Sequence, residues 1–304
     1  MRTVFFGTPD AAIPSLHALA ETSQVLGVIT RPDAARGRSK KLIPSSVATA
    51  AGELAIPVFK PARRTEIYDI LTGLGSLDVG VVVAYGMILP EEVLVYPAAG
   101  LVNVHFSLLP QWRGAAPVER AILAGDTNTG VSIMAMDPGL DTGAIIASEV
   151  ALITDTESAG ELTARLAEVG ARLVSKTLLA WTDGRIQAVP QDDSRASYAS
   201  KLTTAESRLS FTEPSAAFVR KVRAFQPRPG AHAYLGDDRF KVIDAKLADG
   251  PPLSPGHLFF HDGQLWVGAA DGAVLLLSVQ PAGKPAMDAA AWARGHQADI
   301  GRLT

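Results

Sequence analysis

Apolar runs of four to seven residues alternate with amphipathic stretches over the first half of the chain, and Gly- and Pro-containing turns separate them. The runs have the length of buried strands, and the amphipathic stretches have the apolar spacing of helices. A regular strand–helix–strand order predicts a doubly wound, mostly parallel sheet. The predicted strands are 2–6, 25–30, 57–59, 78–84 and 100–105, and the predicted helices are 11–21, 45–52 and 65–74.

The pattern changes after residue 105. A helix at 115–125 is followed by a strand at 131–136, an antiparallel partner strand at 143–150 and a long helix at 157–181. Residues 185–203 are polar and are interpreted as a linker. Beyond them the pattern predicts a helix at 214–225, a closing helix at 287–296, and five short strands with turn signals that suggest a small open barrel. These strands are 231–235, 239–245, 256–260, 264–268 and 273–279. The sequence therefore predicts an α/β domain at 1–184 and a smaller β-barrel domain at 204–304.

Composition narrows the function classes. The chain has 304 residues, of which 47% are hydrophobic and 19% charged, as in a soluble globular protein. It has no cysteine, which excludes disulfides, thiolate metal sites and a cysteine nucleophile. The histidines lack the spacing of zinc ligands, so we expect no metal.

No apolar run reaches the ~20 residues of a membrane helix, and the N-terminus has no signal-peptide pattern, so we expect a cytoplasmic protein without a membrane partner. The net charge is −3, so RNA binding would depend on local basic patches.

Three polar residues around residues 103–141 are candidates for chemistry. Side chains repeat every two residues along a strand, so Asn103 and His105 are expected on one face of the strand at 100–105. The following strand runs into Asp137-Pro-Gly, a turn signal, and Asp141 comes just after it. The two strand ends and the loop bring these three side chains together in the region where open α/β sheets bind ligands.

This trio suits acyl transfer to an amine. The reaction passes through a tetrahedral oxyanion, which Asn103 and a protonated His105 can stabilise by donating hydrogen bonds. Asp141 beside His105 would fix the ring and favour its protonated form. For each residue alone a purely structural explanation stays open. Asn103 could cap a loop, His105 could be a satisfied core histidine, and Asp141 could form an Asx turn.

The whole motif is more specific than its members. Asn103-Val-His105, Ser107-Leu-Leu-Pro110, Trp112-Arg-Gly-Ala-Ala-Pro117 and Asp137-Pro-Gly-Leu-Asp-Thr-Gly143 resemble the formyltransferases that use 10-formyltetrahydrofolate. The segment 112–117 resembles the branch that formylates methionyl initiator tRNA rather than the purine-pathway branch. The resemblance covers nearly the whole chain. It implies that Asn103, His105 and Asp141 are catalytic, that the N-terminal domain is Rossmann-like, and that the C-terminal barrel is OB-like and binds tRNA.

The same resemblance implies a folate site without a metal. One part would be formed by Ser107, Leu108, Leu109 and Pro110. The other would be the loop after the strand at 78–84, with Tyr85, Gly86, Ile88 and Leu89 around the pterin. From the residues alone, that loop is equally well a turn that leads into a helix at Pro90. An apolar slot with backbone hydrogen bonds suits a flat heterocycle.

Basic residues at two places are candidates for tRNA contacts. Residues 31–41 carry five cations and one acid, which is typical of a solvated loop or of a loop that meets phosphates. By resemblance, Arg38 would contact the acceptor end, assisted by Lys40 and Lys41. Lys201 would lie near the tRNA 3′ end, although most lysines are simply solvated.

Two other functions remain open from the sequence. A formyltransferase acting on a small amine, such as a purine precursor or an amino sugar, would need neither the barrel nor the basic loop. A folate sensor or an RNA-binding protein without chemistry would not need the complete trio. We expect a monomeric enzyme that formylates methionyl initiator tRNA for translation initiation.

Overall fold

The computed structural model describes residues 1–35, 41–296 and 299–304. This part of the chain divides into two compact units. The first comprises residues 1–117, 128–152 and 163–199, and the second comprises 118–127, 153–162 and 200–304. The domain bounds read from the sequence stay a prediction, because the two units interleave along the chain.

The helices are α1 (Ile13–Thr22), α2 (Ser46–Glu53), α3 (Glu66–Leu74), α4 (Glu91–Leu94), α5 (Pro117–Ala124), α6 (Ala159–Thr182), α7 (Ser215–Ala224) and α8 (Ala289–Ala293). The strands up to residue 199 are β1 (Arg2–Gly7), β2 (Gln24–Ile29), β3 (Ala34–Ala35), β4 (Leu42–Ile43), β5 (Val58–Phe59), β6 (Val79–Val83), β7 (Leu101–His105), β8 (Arg113–Gly114), β9 (Asn128–Ala135), β10 (Ile145–Leu152) and β11 (Tyr198–Ala199). The later strands are β12 (His232–Leu235), β13 (Asp238–Leu247), β14 (His257–His261), β15 (Gln264–Gly268), β16 (Ala273–Gln280), β17 (Met287–Asp288) and β18 (Asp299–Arg302). None of the helices in the described residues is long and apolar enough to cross a membrane.

The first unit is built on a seven-stranded sheet in the order β10-β9-β7-β6-β1-β2-β5. In this order the five strands β7, β6, β1, β2 and β5 are parallel to one another. Strand β9 is antiparallel to β7, and β10 is antiparallel to β9. Strand β6 is buried at every position, as its unbroken valine-rich run predicts for the centre of a parallel sheet. Gly80 in this strand permits close packing, because a Cβ there would collide with Leu101. The predicted doubly wound sheet with an antiparallel hairpin is confirmed.

The second unit contains an antiparallel sheet in the order β12-β13-β16-β15-β14-β18, with β17 paired to β16. The sheet curls until its two edges meet. Tyr234 and Thr304 exchange backbone hydrogen bonds of 2.9 Å next to a bridge between Leu235 and Leu303. The predicted small barrel is therefore confirmed.

Three local predictions were incomplete or wrong. The closing helix does not begin at residue 287, because Met287 and Asp288 form β17. The Asp288 carboxylate then accepts from the Ala291 amide at 2.7 Å and caps α8. Strand β18 was missed, since it is short and contains Gly301 at a φ of 110°. The polar segment interpreted as a linker contains β11, which pairs in parallel with β8.

Candidate active site

The polar trio lies where the sheet changes from parallel to antiparallel pairing. Strand β7 is parallel to β6 on one side and antiparallel to β9 on the other, and Asn103 is paired with Val82 and with Met134. A cavity of about 560 Å³ lies here, bordered mainly by the loop after β6, the end of β7, residues between 114 and 117, and the loop after β9. The lining residues are Val82, Ala84–Leu89, Leu94, Asn103–Phe106, Gly114, Ala115, Pro117 and Met136–Asp141. Asn103, His105 and Asp141 are all among them, as the sequence predicted.

The ring of His105 is buried, and each nitrogen has a different neighbour. Nε2 lies 2.9 Å from the carbonyl oxygen of Trp112, which only accepts, so Nε2 carries a proton and donates. Nδ1 lies 3.7 Å from Oδ2 of Asp141. In the neutral ring Nδ1 therefore carries no proton, and a proton placed there would give an imidazolium next to a carboxylate.

The carboxylate of Asp141 is held from two sides. Oδ2 accepts from the Gly114 amide at 2.8 Å, and Oδ1 lies at 3.5 Å from Nδ2 of Asn103. The second contact places the amide nitrogen of Asn103, rather than its oxygen, toward Asp141. The local Asx contact is made by Asp137, whose Oδ1 accepts from the Gly139 amide at 3.1 Å. The Asx turn that the sequence allowed at Asp141 is therefore formed by Asp137, and the Asp141 carboxylate contacts Gly114 and Asn103 instead.

Backbone strain is concentrated around this site. Five non-glycine residues of the described chain have positive φ, and three belong to the site: Ala84 at 46°, Trp112 at 62° and Asp141 at 53°. Aspartate tolerates this left-handed conformation, whereas alanine and especially tryptophan do so at a cost. Ala84 and Asp141 line the cavity, and the Trp112 carbonyl holds the His105 ring. Such strain persists where the surrounding contacts fix the backbone, which is common at functional sites.

The residues predicted for the folate site fall into two groups. Tyr85, Gly86, Ile88 and Leu89 line the cavity. The second group, Ser107, Leu108, Leu109 and Pro110, is not among the lining residues. Ser107 is fully buried and donates to the Gln111 carbonyl at 2.6 Å, and the Leu109 amide donates to Ser132. The assignment of this second group to folate stays a prediction, and its observed contacts serve the turn after β7.

Tyr85 is the buried aromatic residue of the cavity loop. Its ring packs edge-on against Phe6, and its carbonyl accepts from the Thr8 hydroxyl at 3.0 Å. Its own hydroxyl is buried and has no hydrogen-bond partner. Burial raises the pKa of Tyr85 to about 12, although the nearby Arg31 acts in the opposite direction. The hydroxyl is therefore neutral at physiological pH.

The predicted tRNA contacts are only partly covered by the structure. Arg38 and Lys40 lie outside the described residues. Lys41 and Lys201 are both exposed. Among the residues that the structure covers, no group of three or more His, Asp or Glu side chains is arranged to hold a metal ion.

The contact between residues 197–199 and the loop at 112–116 could not be predicted from the sequence. Residues 197–199 run beside the loop at 112–116 and bind its backbone. The Trp112 amide donates to the Ser197 hydroxyl at 2.9 Å, and the amides of Arg113 and Ala115 donate to the carbonyls of Ser197 and Ala199, also at 2.9 Å. Gly114 allows this approach, because its φ is 119° and a Cβ would lie 2.8 Å from the Ala199 oxygen. The glycine was visible in the sequence, but its distant partner was not.

Comparisons with known proteins agree along the whole chain. The family described as "Formyl transferase" matches residues 1–178, and "Formyl transferase, C-terminal domain" matches residues 201–297. The chain is 43% identical over 303 residues to a methionyl-tRNA formyltransferase of Rhodococcus erythropolis (strain PR4), and the match covers 98% of both sequences. It is 43% identical over 308 residues to the protein of that name in Mycobacterium tuberculosis (strain ATCC 25177 / H37Ra), covering 99% of this chain and 98% of the relative.

A solved structure supports the same architecture. An N-formyltransferase from Helicobacter canadensis, in complex with folinic acid and dTDP-3-aminofucose, superimposes with a TM-score of 0.71. The match covers 92% of this chain and 98% of that one, at 19% sequence identity. At this identity the likeness shows the fold.

Proposed function

This chain belongs to the formyl transferase family, and from that premise we propose that it transfers a formyl group from 10-formyltetrahydrofolate to the amino group of methionyl initiator tRNA. The observation that carries the proposal is the similarity over nearly the full length to relatives named methionyl-tRNA formyltransferase. The convergence of Asn103, His105 and Asp141 on one cavity supports it independently. The reaction would supply formylmethionyl initiator tRNA for translation initiation.

The trio has the groups that this transfer needs. The neutral amine attacks the formyl carbon, a new C–N bond forms, and the formyl oxygen becomes an oxyanion. The amide of Asn103 and a protonated Nδ1 of His105 donate hydrogen bonds to that oxygen. Collapse of the intermediate breaks the bond to N10 of the folate, which takes up the proton that the amine loses. Asp141, 3.7 Å from Nδ1, stabilises the imidazolium and assists this proton transfer.

The cavity also suits the formyl donor. Its loop at residues 85–90 offers apolar side chains together with backbone groups, which fits a flat pterin ring. Ile88 is 78% exposed, and Leu140 on the opposite loop is 62% exposed. Both line the cavity, so a bound ligand would cover apolar surface that is otherwise in water. We propose Tyr85, Gly86, Ile88 and Leu89 as folate contacts, with no metal in the reaction.

For the acceptor, we propose that residues 204–304 form the tRNA-binding domain and that Lys201 contacts the tRNA. The exposed lysines at 41 and 201 are consistent with contacts to phosphates. Arg38 and Lys40 remain predictions on the same grounds. We further propose that the enzyme is monomeric and cytoplasmic. Formyl transfer to a small amine has less support, because the full-length similarity is to enzymes named for a tRNA acceptor.

The proposal is tested by offering the protein 10-formyltetrahydrofolate with three acceptors: methionyl initiator tRNA, free methionine and glycinamide ribonucleotide. We expect formylation of the tRNA alone. Turnover only on a small amine would keep the trio but contradict the tRNA assignment. Folate binding without any turnover would favour a sensor.

A further inference from the structure

Gln191 connects the Asp141 loop to the rest of the first unit. Its Nε2 donates two hydrogen bonds, to the carbonyl of Asp141 at 2.9 Å and to the carbonyl of Gly143 at 2.7 Å. Its Oε1 accepts from Nε of Arg113 at 3.0 Å. Because Nε of arginine only donates, this last contact fixes the orientation of the amide. Both N–H groups of Gln191 therefore point at the loop that carries Asp141.

Arg113 holds Gln191 in place and is itself held by Asp193. Its side chain is only 2% exposed, and Nη2 lies 2.7 Å from Oδ1 of Asp193. Burial opposes the charge, but hydrogen bonds to Asp193 and Tyr198 hold the pKa of Arg113 above its ordinary value. The guanidinium therefore stays charged and paired. The chain of contacts runs from Asp193 through Arg113 and Gln191 to the backbone of Asp141.

The Asp141 loop needs such a restraint. The backbone of Asp141 is left-handed, and among the described residues the 2.8 Å bond from Gly114 is the shortest contact of its carboxylate. A rotation about the N–Cα bond of Asp141 would move its carboxylate away from His105 and its carbonyl away from Gln191. The two bonds from Gln191 pin the carbonyls on both sides of Thr142, which prevents that rotation. Gln191 itself is not among the residues that line the cavity.

We infer that Gln191 is a positioning residue, which holds the loop 141–143 in the conformation that places the Asp141 carboxylate against His105. This inference rests on the proposed function, because it gives Asp141 its catalytic role. Displacement of a catalytic group by about 1 Å can reduce a rate by about 100-fold, so the loss of this restraint should reduce turnover much more than substrate binding.

Two variants test the inference. Gln191→Glu keeps the size of the side chain and the acceptor toward Arg113, but it replaces the amide donor by an oxygen. Gln191→Met removes all polar atoms at similar length. Gln187→Glu is the matched control, since Gln187 is exposed and four positions earlier. We expect kcat to fall about 10- to 50-fold in both Gln191 variants, with KM for 10-formyltetrahydrofolate changed less than about threefold. The control should have the wild-type kcat.

A double variant separates positioning from a general structural role. If Gln191 acts through Asp141, then Gln191→Glu should lower kcat by less than about threefold when Asp141→Asn is already present. Each variant is assayed below its thermal unfolding transition. Wild-type kcat in both Gln191 variants, or a full multiplicative loss in the double variant, would overturn the inference.

Failure of the proposed function is distinguishable from failure of this inference. No transfer by the wild-type protein would overturn the function. A crystal structure of Gln191→Met then decides on Gln191 alone. In it, we expect Asp141 to have left the left-handed region or to have lost the hydrogen bond from Gly114. An unchanged Asp141 would overturn the positioning role.

Discussion

Replacing Asp141 by asparagine removes one charge and keeps the shape of the side chain. In the folded protein the two carboxylate oxygens face two donors, the Gly114 amide at 2.8 Å and Asn103 Nδ2 at 3.5 Å, and also His105 Nδ1 at 3.7 Å, which donates when the ring is an imidazolium. An asparagine has one oxygen, so in either orientation its NH₂ group faces one of these donors. The substitution therefore removes the charge and also mismatches a hydrogen bond.

The distance sets the size of the effect. At 3.7 Å and an effective dielectric constant of about 20, an imidazolium beside the carboxylate gains about 4.5 kcal/mol, which is an upper bound. Hydrogen bonds to charged groups contribute about 1.5–3 kcal/mol net. Since each 1.4 kcal/mol of barrier is about tenfold in rate, we expect kcat to fall about 100-fold.

The assay is steady-state formyl transfer to methionyl initiator tRNA at saturating 10-formyltetrahydrofolate. We expect KM for the folate to change by less than about threefold, because the missing interaction acts mainly on the charged intermediate. Asp69→Asn is the control, since Asp69 is exposed on α3. A kcat within about threefold of wild type in Asp141→Asn would refute the reasoning.

Three further predictions concern single residues. Gly114→Ala should destabilise the fold by about 1–3 kcal/mol in urea unfolding and also lower kcat, because φ is 119° and the new Cβ would lie 2.8 Å from the Ala199 oxygen. Gly184→Ala is the control: its φ is also positive, but an added Cβ would have no atom within 4 Å, so it should destabilise the fold less and leave kcat unchanged. Burial raises the pKa of the Tyr85 hydroxyl to about 12, so Tyr85→Phe should remove the tyrosinate absorbance step near pH 12, and an unchanged titration would contradict this. The stability that the neutral hydroxyl contributes is present below its ordinary pKa of 10.0 and is lost as pH rises through 12. Burial, followed by the charge of Arg239, lowers the pKa of His232 below 6.5. The contribution of His232 to the free energy of unfolding is therefore present above pH 6.5 and is lost as the pH falls further. His232→Gln should flatten the pH dependence of that free energy between about pH 7 and 5, and an unaltered slope would refute this.

The sequence was informative where local patterns decide the structure. The valine-rich run of β6 can be buried on both faces only inside a parallel sheet, so its position followed from composition. Asn103 and His105 could be assigned to one face because strand side chains alternate, and the Asp137-Pro-Gly turn indicated where Asp141 follows. Spacing therefore predicted that the three side chains meet, whereas their catalytic roles were implied by the family resemblance and stay a prediction.

The rest depends on contacts between distant residues. The pairing of β8 with β11 joins residues 85 positions apart, as in the bond from Trp112 to Ser197, and nothing in the polar segment 185–203 indicates its partner. The same applies to the three bonds of Gln191. The helix expected at 287–296 shortened because Met287 pairs with Val279, and this tertiary contact overrides local helix propensity.

The most direct test of the central claim is single-turnover formyl transfer to methionyl initiator tRNA by Asn103→Ala, His105→Ala and Asp141→Ala. With both substrates saturating, we expect each variant to be about 100-fold slower than wild type or worse, because each lacks a group that stabilises the tetrahedral intermediate or assists its proton transfer. Wild-type rates in all three variants would contradict the assignment of this site.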